Sequence, residues 1–271
     1  MAGSQLLSSI KLGSLELTNR VAMAPLTRGR AGISRVPNHY MKEYYAQRSG
    51  AGLIIAEATA MSAQGYGWYG SPGLYTEEHA DAWKDIVEAV HAKGSKIFVQ
   101  AWHMGRQSHS TFHENKEIVA PSAIAIPGSG HVRDAEDKPV PYEVPRALTT
   151  EEVNALPQDY RKSAELALKA GFDGIEVHGA NGYLIDTFLQ SSTNQRTDIY
   201  GGSMENRLRL LKEIIEAIAQ VYPADRIGVR LSPNGGFGGM VSECEINMCC
   251  LLGHLTHNIM LFVLYVLIGQ C

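Results

Sequence analysis

Apolar residues along the first 240 positions fall into two alternating spacings. Five short runs are apolar almost throughout and rich in β-branched residues: 21–25, 53–59, 96–102, 174–178 and 226–232. Each predicts a strand buried on both faces. Between them apolar positions recur at helical spacing. Residues 37–48 read as a helix, with Pro37 at its start, Tyr40, Met41, Tyr44 and Tyr45 on one face, and Gly50 after it. Trp83, Ile86, Val87 and Val90 fall at i, i+3, i+4 and i+7, with Gly94 as the stop. Thr149 and Glu152 spell a capping box, and the helix behind them runs to about Ala170, with Gly171 beyond and an irregularity expected near Pro157. Ser203 reads as the N-cap of a helix carrying Leu208, Leu211, Ile215 and Ile218. A Gly-, Pro-, Ser- and His-rich stretch, 103–148, breaks the rhythm and predicts loop and hairpin.

Strands that are apolar throughout and joined by helices make a parallel sheet. No glycine-rich dinucleotide fingerprint follows any of them, so a (β/α) barrel fits better than a Rossmann sheet. The 271-residue length would suit one barrel. Composition narrows the field. Residues 45% hydrophobic and 19% charged exclude a disordered chain, and a net charge of −4 argues against a nucleic-acid partner. No signal peptide is spelled at the N-terminus, which makes a reducing, cytoplasmic compartment the default.

The chemistry lies at the strand ends, where barrels place function. The first run ends at Pro25-Leu26-Thr27-Arg28 and the second at Glu57-Ala58-Thr59. The third sets Gln100 inside an apolar run and ends Trp102-His103; the fourth ends with His178, Asn181 and Tyr183; the fifth ends Arg230-Leu231-Ser232. Each has a structural alternative. Thr27 could cap a turn, Gln100 could satisfy a backbone group, and Arg230 could pair with Glu57 or Glu176. His178 could be an ordinary interior histidine, and Trp102 a core aromatic. Convergence of five strands on one rim favours a site. In the H-x-x-N-x-Y cluster, His178 and Asn181 can donate to one substrate oxygen and Tyr183 can deliver a proton. No His/carboxylate pairing has metal-ligand spacing, and no G-x-S-x-G elbow is present.

These residues resemble the Old Yellow Enzyme family of flavin-dependent ene-reductases, which includes the 12-oxophytodienoate reductases. The segments that carry the likeness are NRVAMAPLTR, GLIIAEAT, FVQAWHMGRQS, GFDGIEVHGANGYLIDTFLQSSTNQRTDIYGGSMENRLR and RIGVRLSPNG, across about residues 5–240. The resemblance implies a TIM barrel with FMN across its C-terminal mouth. It implies flavin contacts from Pro25, Thr27, Ala58, Gln100 and Arg230, a carbonyl-binding pair in His178 and Asn181, a proton donor in Tyr183, and Trp102 in the substrate pocket. NADPH or NADH would be the hydride donor, and an enone, quinone or oxylipin the small-molecule acceptor.

The last 31 residues differ. They contain all four cysteines, Cys244, Cys249, Cys250 and Cys271, and no Lys or Arg. The likeness stops near Met240, so the reading is an incomplete barrel of about five of eight strands (1–240) followed by an unrelated apolar tail (241–271). The tail admits a membrane anchor, a zinc site, a packing element, or sequence not selected as barrel at all; the abrupt change favours the last. The ten apolar residues 259–268 are about half of a membrane span. The alternative function is accordingly a catalytically impaired chain without an FMN phosphate site, associated with a partner or a membrane.

Overall fold

The computed structural model describes residues 5–232 and 235–240, and the backbone of 262–265. Its centre is a parallel sheet of six strands. In chain order these are β1 (Ala22–Met23), β2 (Leu53–Ala60), β3 (Lys96–Trp102), β4 (Gly174–Gly179), β5 (Ile227–Leu231) and β6 (Phe262–Tyr265). They lie side by side in sequence order, so every neighbour is parallel and every connection crosses over. The helices are α1 (His39–Ala46), α2 (Glu77–His91), α3 (Thr150–Ala170), α4 (Leu184–Leu189) and α5 (Met204–Ile218).

The predicted helices form for the expected reasons, with two differences. Thr149 and Glu152 make a reciprocal capping box, Gly171 ends α3 with φ +90°, and Ser203 accepts the Asn206 N–H to start α5. Pro157 sits inside α3, which runs unbroken as one helix, so the expected irregularity does not interrupt it. Helix α1 starts later than Pro37. Asn38 is its N-cap and accepts from the Tyr40 and Met41 N–H groups, which a proline ring cannot do. Strand β1 is shorter than residues 21–25, with only Ala22 and Met23 paired, opposite Leu53 and Ile54.

Alternation along the strands divides the sheet into two faces. Ile54, Ala56, Ile97, Val99, Ile175, Val177, Ile227 and Val229 turn outward and pack under the helices with Trp83, Ile86, Val87, Tyr160, Leu208, Leu211 and Ile215. The opposite face is layered. At its base Leu53, Ile55 and Phe98 meet Leu15 and Leu17 of an N-terminal hairpin (Ile10–Leu12 with Leu15–Leu17), which plugs that end. Above this, strand register sets Ala58 opposite Gln100 and Gln100 opposite Glu176. A register shift in β2 between Ile55 and Ala58 makes room for this row. Nearest the mouth, His178 stands opposite Arg230. The inner face is therefore apolar at the base and polar toward the C-terminal ends of the strands.

The 103–148 stretch is loop and hairpin as expected, with His131–Arg133 antiparallel to Pro139–Pro141. The tail supplies one strand beyond the five expected: Phe262–Tyr265 pairs in parallel with Gly228–Leu231 of β5. Those four residues are extended, which removes a continuous spanning helix over 259–268. Among the described residues no helix is long and apolar enough to cross a membrane. Cys244, Cys249 and Cys250 of the zinc reading, with the tail's histidines, lie outside the described residues.

Candidate active site

Three strand ends build the mouth. Past β3 the chain turns through Met104 and Gly105. Past β4 it turns through Ala180–Tyr183 into α4. These two turns brace each other: the Leu184 N–H donates to the His103 carbonyl (3.1 Å), and Gln107 Nε2 donates to the Asn181 carbonyl (2.7 Å). Gly105 has φ +61°, and a side chain there would meet the Leu184 backbone at 3.0 Å, so only glycine allows this approach.

Asn181 and Gly182 are both left-handed, with φ +58° and +75°. Asn181 is not glycine, so its conformation must be held by its surroundings. The Asn181 N–H donates to Ser232 Oγ (2.8 Å) and the Gly182 N–H to Asp186 Oδ2 (2.9 Å); the Ser232 hydroxyl donates in turn to Asp186 Oδ2 (3.1 Å). Gln190 Nε2 donates to Asp186 Oδ1 (3.2 Å). Burial pushes the Asp186 carboxyl up to about 6, against the pull of these donors and the charge of Arg106.

The turn delivers Tyr183 into an aromatic corner. Its ring is edge-on to Trp102 (5.3 Å between centroids) and to His178 (4.9 Å). Burial raises the Tyr183 phenol to about 12, so it keeps its proton at neutral pH. Burial, with the nearby Arg230 charge, pushes His178 down to about 3, so its imidazole is neutral. Below them Gln100 Nε2 donates to Glu176 Oε1 (2.7 Å), and burial raises the Glu176 carboxyl to about 7. Among the described residues, Trp102 Nε1, His178 Nδ1 and Arg230 Nε are buried without a hydrogen-bond partner. Buried polar atoms seldom stay unpartnered, and of these three residues Arg230 lines the cavity described next.

A cavity of about 950 Å³ opens here. Asn181, Tyr183 and Arg230 line it, with Asp186 and Ser232 beside them and His131, Arg133 and Tyr142 from the hairpin side. His178 and Trp102 back Tyr183 without lining the cavity themselves, and Ala58 and Gln100 lie buried on the row below. Pro25 and Thr27 are not brought to it: Pro25 is buried, Thr27 is exposed, and both follow β1 at the sheet edge. Glu57 is taken up by the Arg28 N–H (2.9 Å) and the Tyr45 hydroxyl (3.1 Å), and Glu176 by Gln100, so neither forms the ion pair considered for Arg230. Asp186 and Gln107 escape a reading of strand ends. Both lie inside the quoted motifs, but nothing local in their spacing marks them.

Residues 5–263 match the model of the NADH:flavin oxidoreductase / NADH oxidase family, which carries the likeness past Met240. The chain belongs to this family. The rice protein 12-oxophytodienoate reductase 1 is 45% identical over 233 residues, covering 86% of this chain and 60% of that protein. A probable flavin mononucleotide-dependent alkene reductase of Leishmania infantum is 44% identical over 244 residues, covering 88% and 66%. Among solved structures, the old yellow enzyme homologue of Zymomonas mobilis superposes with a TM-score of 0.83 at 49% identity, covering 88% of this chain and 66% of that one. Morphinone reductase in complex with tetrahydroNAD gives 0.84 at 44%, covering 89% and 67%. The chain thus spans about two thirds or less of the length of these relatives. Membership makes this an FMN oxidoreductase fold, and the half-barrel is the family's TIM barrel over the part the chain covers.

Proposed function

We propose that the chain is the catalytic part of an FMN-dependent ene-reductase that uses NAD(P)H to reduce the activated C=C bond of an α,β-unsaturated carbonyl compound. The observation that carries this reading is Tyr183, a protonated phenol set edge-on against neutral His178 and lining a cavity shared with Asn181 and Arg230. The unpartnered nitrogens of His178, Trp102 and Arg230 leave hydrogen-bonding capacity at this strand-end cluster for a polar ligand. By family likeness Pro25, Thr27, Ala58, Gln100 and Arg230 would hold FMN. Arg230 lines the cavity and would offer the flavin positive charge, Ala58 and Gln100 lie on the row below, and Pro25 and Thr27 would have to reach the flavin from beyond the cavity's described lining. When bound, FMN supplies the hydride.

The chain's own groups supply the rest. One ring N–H of His178 and the Asn181 amide donate to the substrate carbonyl oxygen and draw electron density from the conjugated double bond. Hydride goes to the β-carbon, and the Tyr183 hydroxyl gives its proton to the α-carbon. Relatives named for 12-oxophytodienoate, for alkenes and for morphinone make a small unsaturated acceptor the common element; enones, quinones and oxylipins all fit.

A second reading is a family member impaired in holding FMN. The observation behind it is that the described strands form an open sheet with β1 and β6 at its edges. One experiment separates the two. The purified chain is incubated with FMN, desalted, and its absorbance recorded. Retained flavin, reducible by NADPH and reoxidised by cyclohexenone, is the expected result. A colourless protein that cannot be reconstituted overturns the ene-reductase reading for this chain.

A further inference from the structure

We infer that Asp186, acting with Ser232, is a positioning residue that holds the Asn181–Gly182 turn and so presents Asn181 to the cavity. Two consecutive N–H groups of that left-handed turn end on this pair. Gly182 donates directly to Asp186 Oδ2, and Asn181 donates to Ser232 Oγ, whose own proton goes to the same carboxylate oxygen. Asp186 is 3% exposed and on α4, whereas Ser232 is at the end of β5, so the pair also ties the fourth strand's turn to the fifth strand. The Asn181 carbonyl is held from the other side by Gln107 Nε2. The peptide is fixed at both ends, which leaves the Asn181 side chain as the part free to serve the cavity that it lines.

The order of bonds gives the pair a signature that simple packing would not. An ionised carboxylate accepts only, so the Ser232 hydroxyl must donate toward Asp186 and use its lone pairs for Asn181. Ser232 is thus a relay. Removing it should free the Asn181 N–H alone, and removing Asp186 should free Gly182 and loosen Asn181 through the reoriented hydroxyl.

The catalytic consequence rests on the ene-reductase reading; the test of the turn does not. Amide hydrogen exchange of the full chain, resolved by NMR, is compared for wild type, Asp186→Ala, Ser232→Ala and the double variant, with α3 amides as the internal reference. Ser232→Ala should speed exchange at Asn181 and leave Gly182 protected. Asp186→Ala should speed both, by about tenfold or more for a lost bond to a charged acceptor. The double variant should match Ser232→Ala at Asn181, whose N–H reaches Asp186 through that hydroxyl, and match Asp186→Ala at Gly182. Unchanged exchange at Asn181 in both single variants, or additive effects there, would overturn the inference, whether or not the protein holds FMN. Ser232→Ala keeps the test open if Asp186→Ala does not fold. In FMN-loaded protein, reoxidation by cyclohexenone should show a raised KM and a lowered kcat in Ser232→Ala. Wild-type values for both, with exchange accelerated, would overturn the catalytic consequence alone.

Discussion

The two sides of the barrel mouth are built to different standards. On the β4–β5 side, His178 faces Arg230 across paired strands, Tyr183 is wedged between two rings, and the turn carrying Asn181 is hydrogen-bonded from three elements. On the β1 side, two residues pair and the chain then leaves the sheet, with Leu26 55% exposed and Thr27 exposed beside it. Adjacent strands in fixed register can hold a group without help from its local sequence. A group beyond the edge strand has only its own loop. The side that performs the proposed proton transfer is complete within the described residues, and the side expected to touch the flavin through Pro25 and Thr27 is not brought to the same cavity.

The largest effect should come from the complete side. Tyr183→Phe keeps the ring and its edge-on contacts and removes the proton. In FMN-loaded protein, reoxidation by an enone should slow by about 10²–10⁴-fold, the range for loss of a positioned general acid, while flavin reduction by NADPH changes little. Stopped-flow traces of the two half-reactions check this. Equal slowing of both would mean that Tyr183 shapes the cavity and gives no proton.

Acid should have the next largest effect, through His178 on this side and three buried histidines elsewhere. His103 and His178 are pushed down to about 3, and His79 and His113 to about 4, each mainly by burial. The folded state keeps them neutral while the unfolded chain protonates them below about 6.5. Their stabilising contribution is present above 6.5 and is lost as pH falls toward 4. Glu176 and Asp186 act in the opposite sense. With folded values of about 7 and about 6, above their unfolded values, they weaken the fold as pH rises through the window from about 4 to 7 and relieve it on acidification. Burial also raises Glu57 and Asp159, in the same sense, but the four histidines change protonation in the unfolded chain near about 6.5, inside the interval, so the urea midpoint should be lower at pH 5 than at pH 7.5. His103→Gln should flatten that slope. A higher midpoint at pH 5 would give the carboxyls control.

Legibility in the sequence followed the same division. The strands, the capping box at Thr149 and the N-cap at Ser203 could be read because each depends on residues within a few positions of one another. The H-x-x-N-x-Y cluster could be read because one strand end carries all of it. The Asp186–Ser232–Asn181 bonds could not: they span 46 and 51 residues and exist only once β4 and β5 are paired. Strand β6 could not either, since its pairing with β5 follows a stretch that resembles nothing in the motifs. Pro37 spells a helix start, but the helix begins beyond it because Asn38, one residue on, holds the capping hydrogen bonds.

The smallest effect sharpens the comparison from the incomplete side. Thr149→Ala removes a hydroxyl that accepts the Glu152 N–H and half of a capping box, and should lower stability by about 1 kcal/mol. Thr27→Ala removes an exposed hydroxyl beyond the edge strand and should change stability by less than about 0.5 kcal/mol. Urea unfolding of the two variants without FMN gives both numbers. Repeating the pair with FMN bound then isolates what Thr27 does for the flavin. If its hydroxyl meets the ring, Thr27→Ala should lose part of the stabilisation that FMN confers, whereas Thr149→Ala keeps all of it, because only a residue that touches the ligand changes the linkage between binding and folding. Equal gains from FMN in both variants would leave Thr27 as a surface residue and confine the working site to the β4–β5 side.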